Sequence, residues 1–486
     1  MSPPPHAPPP ASLLGSAEAP PPTVTNPRLR LLIPLVVAFA FFLEQLDQTI
    51  ITTAIPDMAL GLHETPLRLN LALTSYILSL AVFIPVSGWV ADRVGMRRTF
   101  VAAIALFMLG SAACGSAPDL AMLVAARVLQ GFGGAMLTPV GRLILLRSFP
   151  RSDLVTAMSY VSIPSVIGPM LGPLAGGVIA TYANWRWIFY VNLPFGALGM
   201  WLAWRYVQDT ARPPPERFDW PGFFLCGMGL AMLQFGIEAV SHPILSPIGV
   251  AGLFLAAAAL LVFYAWYARR HANAALDLSQ WRRRSFRVSI WAGGITRVGI
   301  SAAPFMLPLM FQLGFGLSAI ESGSLTFVAS LGTLVIRPLT AYLLRRLGFD
   351  RMLPVNTILA AATLAGFYFI GAETPHWIVL AYLLVFGMVR NLQFNALQTL
   401  TFADMPPASL SKATSLAGVV QQMVTGLGVS VSATLLGLIA GAGAVPRTAD
   451  FHTVFVAVAG ITLLSLPGFL SLTRHDGAQV SGHMLL

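Results

Sequence analysis

Two carboxylates stand inside apolar sequence, where acidic side chains are rare. Glu44 and Asp47 lie in the apolar run 31–55, three residues apart, which places them on one face of a helix. A carboxylate in apolar surroundings can bind a proton and release it when its exposure changes. Both are therefore candidate proton carriers, the alternative being that one of them only hydrogen-bonds a neighbouring helix.

Five arginines also fall within apolar runs or at their ends: Arg127, Arg142, Arg297, Arg337 and Arg390. An arginine at membrane depth needs a partner and is a functional candidate by default. Arg127 lies well inside its run, where a purely structural ion pair is the alternative to a function. Arg142 is close to the end of the same run, so its guanidinium is expected to reach the interface.

The last three arginines share a block of sequence whose apolar runs contain no acid. Unpaired guanidinium groups repel cations and bind carboxylates through paired hydrogen bonds, so Arg297, Arg337 and Arg390 predict an anionic or zwitterionic substrate. Alternatively, some of them bind backbone carbonyls or reach across to Asp47 and Glu44. Amide side chains nearby could orient a polar substrate or join helices; these are Asn391, Gln393, Asn395, Gln398, Gln421 and Gln422.

Several classes of protein are excluded by what the sequence lacks. Lys412 is the single lysine and lies in SLSKATS, so there is no G-x-x-x-x-G-K-[ST] phosphate loop. No histidine pair lies in an apolar run and no G-x-S-x-G is present, which argues against a metal site and against an enzyme. Cys114 and Cys226 are expected to pack as small apolar residues. Two acids and five arginines do not supply the polar ring of a channel.

The elements that must hold these residues are membrane-spanning helices. The 486 residues are 56% hydrophobic and 10% charged, with a mean hydropathy of +0.74. Apolar runs of about 20 residues, the length that crosses a hydrocarbon core, can be counted in groups of six, two and six. The sequence thus predicts an all-α membrane protein with 14 transmembrane helices and related N- and C-terminal bundles.

The predicted domain boundaries follow the charged and proline-rich breaks. We expect a disordered tail over 1–30, a six-helix bundle over 31–207, a linker with two additional helices over 208–286, a second six-helix bundle over 287–473 and a tail over 474–486. Glu238, at the end of the first additional helix, is expected to be solvated. The additional pair shows no other chemical feature.

The basic residues indicate how the chain is oriented. With the N-terminus placed inside and the spans alternating, twenty-one of the 29 basic residues fall in inside segments and only Arg68, Arg186 and Arg447 outside. Lysine and arginine concentrate in cytoplasmic loops, so both termini are predicted to be cytoplasmic. The formal charge of +10 then reports orientation and not binding of nucleic acid.

The two six-span blocks resemble an internal repeat. GWVADRVGMRR follows the second span of the first block and AYLLRRLGFDR the second span of the last block, with Gly95 matching Gly348. Asp92 aligns with Arg345, and Arg97 with Asp350. Repeated halves with a site between them near the middle of the bilayer are a recurrent plan of transporters.

Five motifs in order resemble those of the major facilitator superfamily, in particular its fourteen-helix drug:proton antiporters of the EmrB/QacA type and their MdtD-type branch. GWVADRVGMRR resembles the loop signature after the second helix, with Met96 departing from it. ARVLQGFGGAM resembles the fourth-helix motif and IGPMLGPLAGG the antiporter motif of the fifth helix. LDQTIITTAIP resembles the first-helix signature, which includes Asp47, and WRWIFYVNLPFG the entry to the sixth helix.

The resemblance implies roles for these motifs. It implies proton coupling by Arg127 and gating by the loop and antiporter motifs, through Gly88, Asp92, Arg93, Gly95, Arg97, Arg98, Gly168, Pro169, Gly172, Pro173, Gly176 and Gly177. From the residues alone, the glycine spacing of four on the fifth helix favours close helix approach and sliding, and the loop charges could be either a latch or a positive-inside anchor.

The expected function is therefore proton-coupled efflux of small molecules by alternating access, of the multidrug type or of the organic-anion type, including metal chelates of organic acids. A uniporter or a proton symporter with the same fold is the alternative. The expected partners are the lipid bilayer, the substrate and protons, with no nucleic acid, cofactor or metal. We expect a monomer in the inner membrane.

Overall fold

The computed structural model describes residues 27–149, 151–208, 217–241, 245–271, 274–406, 409–441 and 444–481. In these ranges all the regular secondary structure is helical. Of the predicted disordered tail over 1–30, residues 1–26 lie outside the described residues. The first helix begins at Pro27. Most of the proline-rich break before the additional helices, 209–216, also lies outside them.

The α-helices follow one another along the chain with short connections. They are α1 Pro27–Ile50, α2 Ile55–Leu62, α3 Asn70–Val94, α4 Met96–Gly115, α5 Leu120–Ser148, α6 Arg151–Tyr182, α7 Trp187–Tyr190, α8 Asn192–Tyr206, α9 Trp220–Ser241, α10 Pro247–Ala268, α11 Arg284–Leu309, α12 Ala319–Ala365, α13 His376–Ala403, α14 Leu410–Ala440, α15 Thr448–Leu463, α16 Leu466–Leu470 and α17 Ala478–Ser481.

Eleven helices among the described residues are long and apolar enough to cross a membrane. A helix rises 1.5 Å per residue, so about 20 residues span a hydrocarbon core of about 30 Å. The prediction of an all-α membrane protein is confirmed. The count of fourteen spans stays a prediction.

Two glycines turn the chain at equivalent places in the predicted repeat. Gly95, between α3 and α4, has a φ of 105°. Gly348 has a φ of 68° and interrupts the helical dihedrals of α12, so this long element turns there. Both angles are in the region that side chains with a Cβ avoid. The alignment of Gly95 with Gly348 is therefore matched by backbone geometry.

The apolar cores show how the two halves of the chain meet. We call the end of the molecule that carries Gly95 and Gly348 proximal and the opposite end, which carries Thr53 and Ser318, distal. At the distal end one apolar cluster contains residues of both halves, among them Ile55 and Phe311. Toward the proximal end each half also has an apolar cluster of its own. The two halves are thus joined by a shared core at the distal end.

The additional helices α9 and α10 pack beside the junction of the halves. A further apolar cluster contains Ala81 of α3, Cys226 of α9, Tyr264 of α10 and Met423 of α14. Tyr264 also donates a hydrogen bond to the backbone carbonyl of Leu276, 3.1 Å away. The pair is therefore fixed against both halves.

Candidate functional site

A buried ion pair lies in the middle of the N-terminal half. Nη1 of Arg127 is 2.6 Å from Oδ2 of Asp47, and the two side chains are 0% and 1% exposed. Oδ1 of Asp47 accepts hydrogen bonds from Nε2 of Gln130 and Nδ2 of Asn192, both at 2.8 Å. The carboxylate thus has one cationic partner and two neutral donors. The structure brings together two residues that the sequence singled out separately.

Arg127 is held by more than its ionic partner. Nε donates to the backbone carbonyl of Ala72 at 3.0 Å, and Nη1 also donates to Oε1 of Gln130 at 2.7 Å. The guanidinium carbon lies 4.2 Å from the ring centroid of Tyr76. Nη2 is buried without a hydrogen-bond partner. This one side chain therefore ties α5 to α1 and α3.

The glycines of ARVLQGFGGAM allow α5 to come close enough for this contact. A Cβ on Gly131 would meet Ser79 and the backbone of Tyr76 in α3. A Cβ on Gly133 would meet the backbone of Phe107 in α4. Since larger residues would push these helices apart, the glycines position Arg127 by close packing.

Asn192 is a member of the site that the sequence analysis did not name. It begins α8, and besides Asp47 it donates to Oγ of Ser111, 3.0 Å away. Ser111 in turn donates to the carbonyl of Phe189. The signal was available, because Asn192 belongs to WRWIFYVNLPFG, which was recognised as a motif but not as a source of site residues.

Glu44 lies on the same helix face as Asp47 but has a different partner. It is buried, and Oε2 accepts a hydrogen bond from Oγ1 of Thr138 in α5 at 2.8 Å. Arg142 is the near positive charge, and its side chain is exposed. The two acids thus share a helix face as predicted, while only Asp47 of the two is ion-paired among the described residues.

Arg297 is a buried guanidinium in the C-terminal half. It is 2% exposed, and its Nε and Nη2 atoms have no hydrogen-bond partner. Its guanidinium carbon lies 5.2 Å from the ring centroid of Phe394, which is one helical turn after Arg390 on α13. In the described part of the chain no carboxylate is ion-paired with Arg297 or Arg390. The alternative that these arginines reach Asp47 or Glu44 is not observed.

Arg337 is separated in environment from the other two arginines. Its side chain is exposed, as are those of Leu334, Val335 and Leu339 on the same stretch of α12. Arg297 is buried and Arg390 is half-buried. The structure therefore places Arg337 on an open helix face and does not group it with Arg297.

The predicted amides divide into two sets. Gln393 is buried inside the C-terminal half, where it bonds Asn356 at 2.8 Å and Thr357 at 2.9 Å. The others are half-buried, and Gln421 of α14 donates to Gln398 of α13. The half-buried set comprises Asn391, Asn395, Gln398, Gln421 and Gln422. Gln393 thus joins helices, whereas the half-buried amides remain accessible.

The glycine row of α6 packs against α1. A Cβ on Gly168 would approach Gln45, one on Gly172 would overlap Thr49, and one on Gly176 would overlap the carbonyl of Ile50. This confirms that the spacing of four serves close helix approach.

Gly177 and Pro173 of the same helix meet the C-terminal half instead. A Cβ on Gly177 would overlap the carbonyl of Ala319, and one on Gly323 the carbonyl of Pro173. Pro169 is half-buried nearby. Helix α6 is thus packed between α1 and α12.

The loop motif at the proximal end contains an ion pair with a helix that was not predicted to take part. Oδ1 of Asp92 is 2.6 Å from Nη2 of Arg147 at the end of α5. Arg97 lies over Trp204 of α8, with 5.0 Å between its guanidinium carbon and the ring centroid. The remaining members lie around these contacts: Gly88 has open space beside it, Arg93 lies over Trp89 and Arg98 is exposed.

Glu238 corrects an expectation. It was predicted to be solvated, but it is 3% exposed and accepts hydrogen bonds from Asn70, Thr74 and Ser430. The prediction failed because the burial comes from α3 and α14, which are far from α9 in sequence. Among the described residues there is no cluster of three histidine, cysteine or acidic side chains that could hold a metal ion.

The sequence matches one family profile over most of its length. The profile is that of the Major Facilitator Superfamily, and it matches residues 37–429. Among curated proteins, one from Cronobacter sakazakii is 38% identical over 424 residues, which cover 86% of this chain and 89% of that protein. One from Pectobacterium carotovorum is 36% identical and covers 90% and 94%. Both bear the name "Putative multidrug resistance protein MdtD".

Solved structures of similar fold include two transporters of distant sequence. A D-xylose-proton symporter superposes with a TM-score of 0.66 at 14% identity, covering 92% of this chain and 98% of that one. The nucleoside transporter NupG superposes with a TM-score of 0.60 at 14% identity, covering 91% of this chain and 98% of that one. At this identity the likeness shows the fold alone.

Proposed function

Because this chain belongs to the Major Facilitator Superfamily and to its MdtD-type branch, we propose that it exports small molecules from the cytoplasm in exchange for protons. The observation that carries the proposal is the pair of Asp47 and Arg127. A buried carboxylate beside a buried guanidinium is costly to maintain and marks a functional site in a membrane protein.

The proposed proton carrier is Asp47, with Glu44 as a second acid on the same helix face. Protonation of Asp47 removes the charge that Arg127 neutralises, and the 2.6 Å ionic contact becomes a weaker hydrogen bond. Arg127 then keeps only its neutral contacts with Ala72, Gln130 and Tyr76 at full strength, which gives the proton a route to change how α1, α3 and α5 pack. Substrate from the cytoplasm competes with the proton for the same cavity, directly or through Arg127.

We propose fourteen spans in a 6+2+6 order, with both termini cytoplasmic. The eleven long apolar helices count α12 once, and its turn at Gly348 makes it two spans. Helix α6 and the α7–α8 segment supply the other two. The bundles are then 31–207 and 287–473, flanking the linker 208–286 and followed by the tail from 474. With the proximal end cytoplasmic, the shared distal core closes the outer side, and the structure corresponds to an inward-facing state.

The glycine row of α6 and the proximal loop are the proposed moving parts. Gly168, Gly172 and Gly176 allow α6 to slide on α1, while Gly177 meets α12 across the junction. The ion pair of Asp92 with Arg147 would hold α3 to α5 during this motion.

The proposed substrate is an organic anion or zwitterion, including a metal chelate of an organic acid, or a drug of mixed charge. Arg297 has two buried nitrogen donors without partners, and a carboxylate could accept hydrogen bonds from both. Arg390 and the half-buried amides of α13 and α14 would complete the surface. Arg337 fits this surface less well because it lies on an open helix face.

Coupling is tested in proteoliposomes with an imposed pH gradient. We expect Asp47→Asn to abolish gradient-driven transport while leaving exchange of substrate across the bilayer, because the asparagine cannot carry a proton. Glu44→Gln, at the second acid on the same face, is measured in the same assay to test whether that acid also carries a proton. Gradient-driven transport that survives in Asp47→Asn would disprove the assignment. A substrate flux that the pH gradient does not affect would favour a uniporter. A substrate flux in the same direction as the proton flux would favour a symporter.

The substrate class is tested by comparing citrate with the cationic dye ethidium in the same vesicles. A charge-assisted hydrogen bond contributes about 1.5–3 kcal/mol, so Arg297→Met should weaken citrate transport about 10- to 100-fold. Ethidium transport should not fall. Arg337→Met serves as the control and should have the smaller effect on citrate. An unchanged preference for citrate in Arg297→Met would contradict the anion site.

A further inference from the structure

The additional helices carry a buried acid that touches both halves of the molecule. Oε2 of Glu238 accepts a hydrogen bond from Nδ2 of Asn70 at 2.9 Å, and Oε1 accepts one from Thr74 at 3.3 Å. Oε1 also accepts a hydrogen bond from Oγ of Ser430 on α14. Gln234, one turn earlier on α9, donates to the same Ser430. Glu238 is therefore bonded to α3 of one half and to α14 of the other.

All the groups that bond this carboxylate are neutral. The helices packed on α9 are α3, α10 and α14, and α10 has no charged residue. The charged residues of α3 and α14 are at their proximal ends, at least about 27 Å away along the helix at 1.5 Å per residue; they are Asp92, Arg93 and Lys412. Arg68, in the loop before α3, is paired with Glu64 at 2.6 Å.

One atom beside the carboxylate has no partner. Oδ1 of Asn70 accepts no hydrogen bond, and because Asn70 is 0% exposed this oxygen is also shielded from water. If Oε2 of Glu238 carried a proton, it would be a hydrogen-bond donor. A 180° rotation of the Asn70 side-chain amide would place Oδ1 where it could accept that hydrogen bond. The same side chains can thus bond the carboxylate or the carboxylic acid.

We propose that Glu238 is a further proton-binding site, separate from Asp47 and Glu44, which closes the distal junction of the two halves when it carries a proton. Burying a charge without an opposite charge costs free energy that the neutral acid does not incur. The closed arrangement is therefore favoured by the protonated form, and separation of α3 from α14 hydrates and ionises the group. This inference rests on the proposed proton-driven function for its role in the cycle, although binding of the proton does not require transport.

Protonation is measured by infrared difference spectroscopy on the purified full chain, titrated from acid to alkaline pH in sodium-free buffer. In the wild type we expect one protonated-carboxyl band that disappears as the pH is raised. The band should be absent from Glu238→Gln, and it should be present and titrate as in the wild type in Asp47→Asn. Ser430→Ala, which keeps the acid, should change the pH at which the band disappears. Identical spectra for the wild type and Glu238→Gln would overturn the proposal. So would a band lost on adding sodium chloride at constant acid pH, which would indicate a metal-cation site.

Closure is measured by pulsed electron paramagnetic resonance between spin labels on Leu67→Cys and Gly437→Cys. A Cβ on Gly437 would lie 3.7 Å from Cδ1 of Leu67, and the native cysteines are buried. We expect the short-distance population to fall as the pH rises, and to be independent of pH when Glu238→Gln is added.

The distance measurement separates this inference from the proposed function because no substrate is present. A pH response that persists in Glu238→Gln would overturn the role of Glu238, whatever the transport assays show. Loss of gradient-driven transport with an intact Glu238 response would instead contradict the proposed antiport.

Discussion

At the scale of single residues, the central contrast is between a paired and an unpaired buried arginine. Arg127 has an ionic partner, whereas Nε and Nη2 of Arg297 have none. Removing one member of a buried ion pair leaves an uncompensated charge and is costly. Removing an unpartnered guanidinium takes away a charge that nothing balances. The same substitution should therefore have opposite effects on stability at the two sites.

We predict that Arg127→Met lowers the free energy of unfolding by about 3–5 kcal/mol, because Asp47 is left buried and charged. Arg297→Met should leave it unchanged or raise it. Thermal unfolding of the purified variants in detergent measures both. The double variant Asp47→Asn/Arg127→Met should recover part of the loss, which a double-mutant cycle detects. Additive losses in that cycle would show that the pair does not couple.

The residues of this site could be predicted from sequence only in part. Asp47 and Arg127 were found because charge within an apolar run is conspicuous and because both lie in recognisable motifs. Their pairing could not be read from the sequence, since it depends on how α1 meets α5. Asn192 was missed because a neutral amide at a helix start is common. Glu238 was misjudged because its burial is made by α3 and α14 and not by its own helix.

At the scale of elements, α6 depends on glycines for its position between α1 and α12. A Cβ on Gly176 would overlap the carbonyl of Ile50 and Oγ1 of Thr53. Thr53 already donates to the carbonyl of Pro173 at 3.2 Å, so the contact has no spare room. Overpacking of this kind displaces helix backbones.

We predict that Gly176→Ala lowers the free energy of unfolding by about 1–3 kcal/mol and slows transport, because α6 is pushed away from α1. Gly460→Ala on α15 is the matched control. A Cβ there meets nothing within 4 Å, so this variant should be neutral or gain up to about 1 kcal/mol. Thermal unfolding and initial transport rates are the measurements. Equal behaviour of the two variants would contradict the close approach.

Element boundaries were predictable where charge interrupts the apolar runs and unpredictable where it does not. The turn at Gly348 was predicted from the likeness of its sequence to the Gly95 loop, although the hydrogen-bonded helix α12 continues through it. The break between α7 and α8 was not predicted, because the sequence from Trp187 onwards contains no charged residue before Arg205. Hydropathy indicates which segments are buried in lipid or protein. It does not indicate where a helix is briefly interrupted.

At the scale of the whole molecule, the distribution of positive charge and the shared distal core give a single consistent orientation. The basic loops lie at the proximal end, and an apolar cluster that joins both halves, with Ile55 and Phe311 among its members, lies at the distal end. If the proximal end is cytoplasmic, as the positive-inside rule requires, then the core closes the outer side. The orientation of the chain in the membrane therefore determines whether this conformation is inward- or outward-facing, and one experiment tests both.

We predict that an amine-reactive, membrane-impermeant reagent labels Lys412 in inverted vesicles and not in intact cells. Lys412 is the only lysine in the sequence, and its side chain is 54% exposed. It lies in the first turn of α14 at the proximal end, where its Nζ is 3.5 Å from Oδ2 of Asp277. The amino terminus is proposed for the same side, so it adds no outside label. Arg447→Lys, at an exposed distal position, is the matched control and should be labelled in intact cells. Labelling of the wild type from outside would reverse the orientation and make the structure outward-facing.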